Sequence, residues 1–415
     1  MKNKFTEFFN KRNIPTSDGI VISCILLFWA ANMLACIVAG MLTDGNALTA
    51  VLYGGTGSEQ FTAFFDSLRK TNNVYYDYYS NGSNPMITPL SALFFHFINS
   101  LLSAELTEQV DATNFDYLMD QRSMIIFVLV MAAATLIIFR LTENRMAKVY
   151  TSPMAKLFCV AMFFSYPMIY SLERGDTMLI TASFVLIFFF FKDSANDSFR
   201  SYAILSLAIA SAFAFWPLIF IVTLIPEKRF KEIIKLVILA VVMTVLPILI
   251  FRFSYNTNVL ILADGYFNLA SESIGITSVI PGIAGTVIMY ITCAIAVFAI
   301  FFTKDGYKRV LLTMYILLNF AGISSVGTVI LLIAPLVMAL NKKDKAKSDI
   351  ANIAIMAASF IPYPVFWYRE DVDVFNLNKW VAAIAIQSLF VSIIVTDVIP
   401  AFRKKEIRGV KNVEA

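Results

Sequence analysis

Apolar residues in this chain gather into runs of about 20, the length that crosses the hydrocarbon layer of a bilayer as a helix, and such runs recur from one end to the other. They cover residues 19–42, 86–103, 123–140, 154–172, 177–191, 201–226, 233–251, 278–302, 309–340, 349–367 and 380–400. The run 309–340 is too long for one helix and is interrupted by Gly322-Ile323-Ser324-Ser325, so it reads as a hairpin of two short spans. The pattern predicts an all-α polytopic membrane protein with ~11 to 13 transmembrane helices. Lys2, Lys4, Lys11 and Arg12 precede the first run without a small-residue cleavage site, which reads as a retained start-transfer helix.

Between the runs, charge sorts by loop. Basic clusters (the N-terminus, Lys228-Arg229 with Lys231, Lys304 to Arg309, Lys342 to Lys347, and Arg403-Lys404-Lys405) read as cytoplasmic. The loops 43–85, 252–277 and 368–379 then fall outside, and all three are acidic or near neutral. One region is ambiguous. Arg140, Arg145, Lys148 and Lys156 favour the cytoplasm, yet a plain count of spans puts 141–156 outside. A threading with 86–103 re-entrant and 201–226 a hairpin broken near Pro217 puts it inside; the sequence is compatible with both.

Composition narrows the class. Of 415 residues 59% are apolar and only 15% charged, with a net charge of +4 and a mean hydropathy of +0.73, against ~45–50% apolar and ~25% charged in soluble domains. A soluble globule is excluded on these grounds, and nucleic-acid binding, secretion as a free protein and a disulfide-stapled fold find little support in them. Cys24, Cys36, Cys159 and Cys293 lie inside apolar runs without metal-ligand spacing and read as packing residues. Neither a metal nor a cofactor is expected.

The first outer loop carries the most chemistry. In Ser58-Glu59-Gln60-Phe61-Thr62-Ala63-Phe64-Phe65-Asp66-Ser67-Leu68-Arg69, Ser58 is positioned to cap a helix whose Phe61, Phe64, Phe65 and Leu68 form one stripe, suited to lying in the membrane interface. Tyr75-Tyr76-Asp77-Tyr78-Tyr79 follows, with rings suited to headgroup depth. Further on, Glu173-Arg174-Gly175-Asp176 sets three ionisable residues between two apolar runs, where charge is costly unless paired or functional.

Four short motifs, Ala63-Phe64-Phe65-Asp66, Ile87-Thr88-Pro89-Leu90, Glu173-Arg174-Gly175-Asp176 and Ala214-Phe215-Trp216-Pro217, resemble in order and spacing those of the GT-C superfamily of membrane glycosyltransferases. The resemblance is to the glycosyltransferase family 87 or DUF2029-like branch, related to polyprenyl-phosphate-mannose-dependent mannosyltransferases. Two positions depart from the pattern: Ala63 stands where the family has its acidic residue, and Ala214 where it has a lysine. Asp66 lies one helical turn after Ala63, on the same side. The resemblance implies a GT-C-like module over residues 1–277, additional helices over 278–400 and a cytoplasmic tail over 401–415, all within one integral membrane domain of a bacterial plasma membrane with both termini cytoplasmic. It implies transfer of a mannose-like hexose from a polyprenyl-phosphate donor to a glycan or lipid acceptor on the outer face, among membrane lipids.

In such a reaction a carboxylate serves as general base and a cation offsets charge on the leaving phosphate; a monophosphate leaving group makes no metal obligatory. Asp66 is the first candidate base and Asp44 the second, each with a plainer reading as an exposed helix or cap carboxylate. Substrate-binding candidates are Glu173, Arg174 and Asp176, alternatively a paired turn; Arg252, alternatively an interfacial anchor; and Tyr75, Tyr76 and Asp77, which can stack on or bond a sugar. His96, the only histidine, reads as helix packing, and Trp216-Pro217 as a kink. Two other function classes compete: a lipid-linked saccharide transporter, and a catalytically inactive relative that assists another glycosyltransferase. A polymerase or ligase of the O-antigen type would need a basic outer loop with histidine, which is missing here.

Overall fold

The computed structural model describes residues 16–47, 61–71, 88–102, 114–251, 275–319, 326–364 and 377–402, and the ordered elements among them are all helical. The protein is an all-α polytopic membrane protein. Among the described residues four helices are long and apolar enough to cross a bilayer: α1 (Thr16–Leu42), α5 (Gln121–Met146), α12 (Gly282–Phe302) and α16 (Leu377–Ile393), which continues to Phe402 through a π-helical turn. The bent pair α6 (Ser152–Phe163) and α7 (Tyr166–Arg174), which meet at 52°, is long and apolar enough when its two helices are taken together.

The remaining described elements are α2 (Thr62–Thr71), α3 (Pro89–Asn99), α4 (Asn114–Met119), α8 (Met178–Phe191), α9 (Asp197–Phe213), α10 (Phe230–Phe251), α11 (Ile276–Val279), α13 (Gly306–Asn319), α14 (Ile333–Leu340) and α15 (Lys347–Ala358). Two 3-10 segments, Trp216–Leu224 and Val326–Leu332, join them. Lipid-facing surface is supplied by α1, α5, α10 and α12, which expose Leu27, Leu129, Leu249 and Ile283 among others, whereas α13, the Val326–Leu332 segment and α14 are buried almost throughout. The long 309–340 run thus forms two short legs in the middle of the bundle; its glycine-serine break lies outside the described residues.

The basic loops come together at one end. Buried Lys192 pairs with Glu227 at 2.8 Å and Asp193 at 3.1 Å, Arg229 bridges Asp193, Glu227 and Glu232, and Arg309 reaches Glu227 at 3.6 Å. Beside them Lys308 pairs with Asp397 at 2.7 Å, and Lys342 with Asp349 at 2.7 Å and Asp305 at 2.9 Å. The Tyr307 hydroxyl donates to Asp349, whose side chain is fully buried. Burial works against the Lys342 charge, but the carboxylates of Asp349 and Asp305 outweigh it and hold its pKa above the usual lysine value.

This basic end fixes the threading that the sequence left open. At α5's end the Arg145 carbonyl accepts from Asn341 and its guanidinium lies over the rings of Phe190 and Phe191, so 140–156 joins the basic end. From there α6 and α7 climb to Glu173–Asp176, and α8 descends to Lys192. The Glu-Arg-Gly-Asp turn is therefore at the opposite end. Two departures from a plain span count make this possible. Helix α3 is 11 residues, about 16 Å, too short to cross, and it does not link opposite ends. The 201–226 run is a hairpin: α9 stops at Phe213 and Trp216–Leu224 returns to the basic end.

Candidate functional site

The end opposite the basic cluster gathers all four motifs. Helix α2 forms with the stripe read from the sequence, but Phe64, Phe65 and Leu68 are buried in protein rather than facing lipid. Phe64 packs edge-on against Phe95 and Phe127, both at 5.3 Å between ring centroids. The reason is supply of partners: α3 and α5 present aromatic rings at the level where the stripe lies, and ring-on-ring packing adds to area burial.

Beneath α2 sits the Glu173–Asp176 turn. The Phe61 N–H donates to the Glu173 carbonyl at 2.7 Å, and Phe61 adopts a left-handed φ of 57° to begin the helix. Gly175 ends α7 in the left-handed region at φ 66°, while the Asp176 N–H reaches back to the Ser171 carbonyl at 2.8 Å, a Schellman closure. A Cβ at 175 would stand 3.0 Å from the Phe64 Cβ, 3.1 Å from the Phe127 ring and 3.3 Å from the Phe61 carbonyl oxygen. Only glycine satisfies both the dihedral and the approach. Asp176 Oδ1 accepts the Met178 N–H at 2.8 Å and so opens α8. Glu173 is buried, and the Arg174 guanidinium lies 5.1 Å over the Tyr170 ring.

The other two motifs meet beside this pair. The Thr88 hydroxyl donates to the Phe213 carbonyl at 2.9 Å, occupying an acceptor that the helix break at Ala214-Phe215 releases, and Phe94 packs on Phe213 at 5.5 Å. Thr88 also caps α3 by accepting the Ser91 N–H. At the far end of α3, Asn99 donates to the Leu68 carbonyl at 2.7 Å and to the Thr71 hydroxyl at 3.0 Å. Helix α3 is thus a strut between α2 and the α9 break.

Among the sequence-derived candidates, Asp66 lies on the outer side of α2, part-exposed and paired with Arg69 at 2.8 Å. Asp44 is exposed in the turn after α1 with φ 51°. That turn lies at the same end, since Cys36 and Phe28 contact Pro362 and Tyr363 beyond the top of α15. Helix α1 packs chiefly on α6 and α15, however, and α2 on α3, α4 and α7, so the two carboxylates belong to different parts of the surface. Tyr75, Tyr76, Asp77, Arg252 and the capping Ser58 lie outside the described residues. His96 is part-buried on α3.

Two neighbours of this site, Asn99 and Tyr117, escaped the sequence reading, and Thr88 entered it only within the Ile87–Leu90 motif, not as the hydroxyl that ties α3 to Phe213. Tyr117 of α4 is buried under α2, its hydroxyl without a hydrogen-bond partner among the described residues; burial pushes its phenol from 10 up to about 12, with the nearby Arg69 charge pulling the other way. The available signals were a Thr-Pro at a helix start and an asparagine inside an apolar run, whose amide needs partners when buried. Compared with protein-family models and with curated proteins, the chain matches none.

Proposed function

We propose that this protein is a GT-C-like glycosyltransferase that moves a mannose-like hexose from a polyprenyl-phosphate carrier to a glycan or lipid acceptor, at the outer face of a bacterial plasma membrane, with the basic end cytoplasmic. The observation that carries the reading is the convergence of four sequence-distant motifs on one end of the bundle through the Phe61–Glu173 and Thr88–Phe213 hydrogen bonds. A donor with an apolar tail and a sugar headgroup needs a site at the interface, and this end combines an aromatic-backed helix with carboxylates and a guanidinium.

In the proposed step, the acceptor hydroxyl oxygen bonds to the anomeric carbon as the carbon–oxygen bond to phosphate breaks. Asp66 takes the hydroxyl proton, and polyprenyl phosphate leaves with the electron pair, its charge offset by Arg174. A second reading, a non-catalytic relative that assists another transferase, is favoured by one observation: Asp66 and Asp176 both have structural employment, in the Arg69 pair and the α8 cap.

Membranes containing the protein, given radiolabelled polyprenyl-phosphate hexoses, separate the two. Transfer is expected from one donor and falls by about 100-fold or more in Asp66→Asn. Absence of transfer from every donor, or transfer indifferent to Asp66→Asn, overturns the catalytic assignment.

A further inference from the structure

Helices α6 (Ser152–Phe163) and α15 (Lys347–Ala358) both rise from the basic end, and both run 12 residues, about 18 Å, before the helix stops. They stop at one height. The Tyr166 N–H, first in α7, donates to the Phe360 carbonyl at 3.1 Å and joins the two breaks. From Ser359 to Pro364 the chain runs on without helix, and on the facing side Phe164-Ser165 turns the path by 52° into α7. Non-helical backbone inside the apolar layer is tolerated only where protein or water satisfies its polar groups.

Two hydroxyls at this junction are not satisfied by protein. Ser165 is fully buried and holds the capping position of α7 in an extended conformation, yet its hydroxyl makes no capping bond and has no hydrogen-bond partner among the described residues. Ser359, 3% exposed, ends α15, and its hydroxyl has no partner there either. Each serine is the immediate neighbour in sequence of a residue in the Tyr166–Phe360 bond, so the two stand within one small volume. Packing is incomplete beside it: a space with room for about one water molecule lies on the α5 side of the break, lined by Thr135, Met162, Phe163 and Met168 among others.

We infer that the junction binds a buried water molecule, held between the Ser165 and Ser359 hydroxyls as a fixed part of the fold. Chemistry selects that occupant. Each hydroxyl can both donate and accept, as a bridging water requires. The positive end of α7 and the negative end of α15 meet at this point and offset one another, which leaves little field to hold an ion. The water satisfies the break, and so lets α7 leave the line of α6 and carry the Glu173–Asp176 turn beneath α2. This site is independent of the transferase reading, because it concerns how the turn is supported and not what the turn does.

The sign of a stability change tests it. A buried hydroxyl with nothing to bond costs free energy, so its removal stabilises, whereas removal of one that holds a fixed water destabilises. In the detergent-solubilised full chain, Ser165→Ala and Ser359→Ala are each expected to lower the melting temperature by about 1–3 °C. The double variant should lose less than the sum, because either change alone releases the water. Ser211→Ala, which removes a hydroxyl bonded to the Leu207 carbonyl within α9 at 2.8 Å, should add independently to Ser165→Ala. A direct bond between the two serines would give the same coupling, so radiolytic hydroxyl-radical footprinting supplies the second readout. A fixed water should cause oxidation of Tyr166 and Met168, 1% and 2% exposed, while Met314 of α13, 1% exposed, stays protected; the double variant should lose that oxidation. A raised melting temperature in either single variant, additive losses in the double variant, or protection of Tyr166 and Met168 equal to that of Met314 overturns the inference.

Discussion

At position 175 a single hydrogen atom does the work of a side chain. The left-handed dihedral alone costs a non-glycine residue roughly 1–2 kcal/mol, and the 3.0 Å approach of Phe64 adds an overpacking cost. Gly175→Ala is expected to destabilise the protein by about 2–3 kcal/mol, read as a lowered denaturant midpoint in detergent; a change within 0.5 kcal/mol, about the size of an ordinary surface substitution, would show that α2 is not seated there. Tyr117 sets a pH limit instead. Its folded-state pKa of about 12 exceeds the ordinary 10, so the folded protein keeps a proton that the unfolded chain loses. The stability this confers is complete below pH 10 and declines as pH rises toward 12. Tyr117→Phe should flatten that part of the stability–pH curve, and an unchanged slope would remove Tyr117 as its cause. Of these two residues, Gly175 stood out in the sequence because it lay in a charged turn. Tyr117 did not, since burial of a phenol depends on α2 covering it and leaves no mark on its neighbours.

At the scale of the element, α2 shows what periodicity can and cannot say. The Phe64, Phe65, Leu68 stripe specified a helix and one apolar face, but not whether lipid or protein would cover that face. Because rings of α3 and α5 cover it, Phe64→Ala should cost about 3–5 kcal/mol and free α2, seen as faster amide exchange across 62–71 with the bundle otherwise protected. Unchanged exchange would mean that α2 is held mainly by the Asn99 and Phe61 hydrogen bonds. The same logic governs α3 and the α9 hairpin. Their apolar runs were visible and their failure to cross was one of two threadings the sequence allowed; the choice between them depends on contacts such as Thr88 finding the Phe213 carbonyl. Within α15, Asp349 has no outward sign of importance beyond its place in a basic loop, yet it is fully buried and faces Lys342, Lys308 and Tyr307. Asp349→Ala leaves Lys342 with Asp305 and Lys308 with Asp397 but strips the buried Tyr307 hydroxyl of its acceptor, and a loss of about 1–3 kcal/mol is expected; thermal unfolding in detergent measures it.

For the whole molecule, the sequence's sorting of loops by charge was the most durable signal: 228–231, 304–309 and 342–347 share one end, as a uniform positive-side bias requires. It failed to decide only 141–156, where span counting and charge disagreed, and charge proved the better guide. If the basic end is cytoplasmic, a cysteine at position 231 (Lys231→Cys) should react only with permeant reagents in intact cells, and one at 176 (Asp176→Cys) with impermeant ones. Labelling of both from the same side would contradict the fold.

Lys308 and Asp397 are 89 residues apart. Asp305 at 3.7 Å and Asp349 at 3.6 Å also face the Lys308 ammonium at the basic end and are made before Asp397, whose 2.7 Å pair arrives only with the last helix. A chain that stops short of α16 keeps Lys308 on its two longer ion pairs and lacks the shortest one, so the tightest electrostatic link between the start of α13 and α16 is a late event of synthesis.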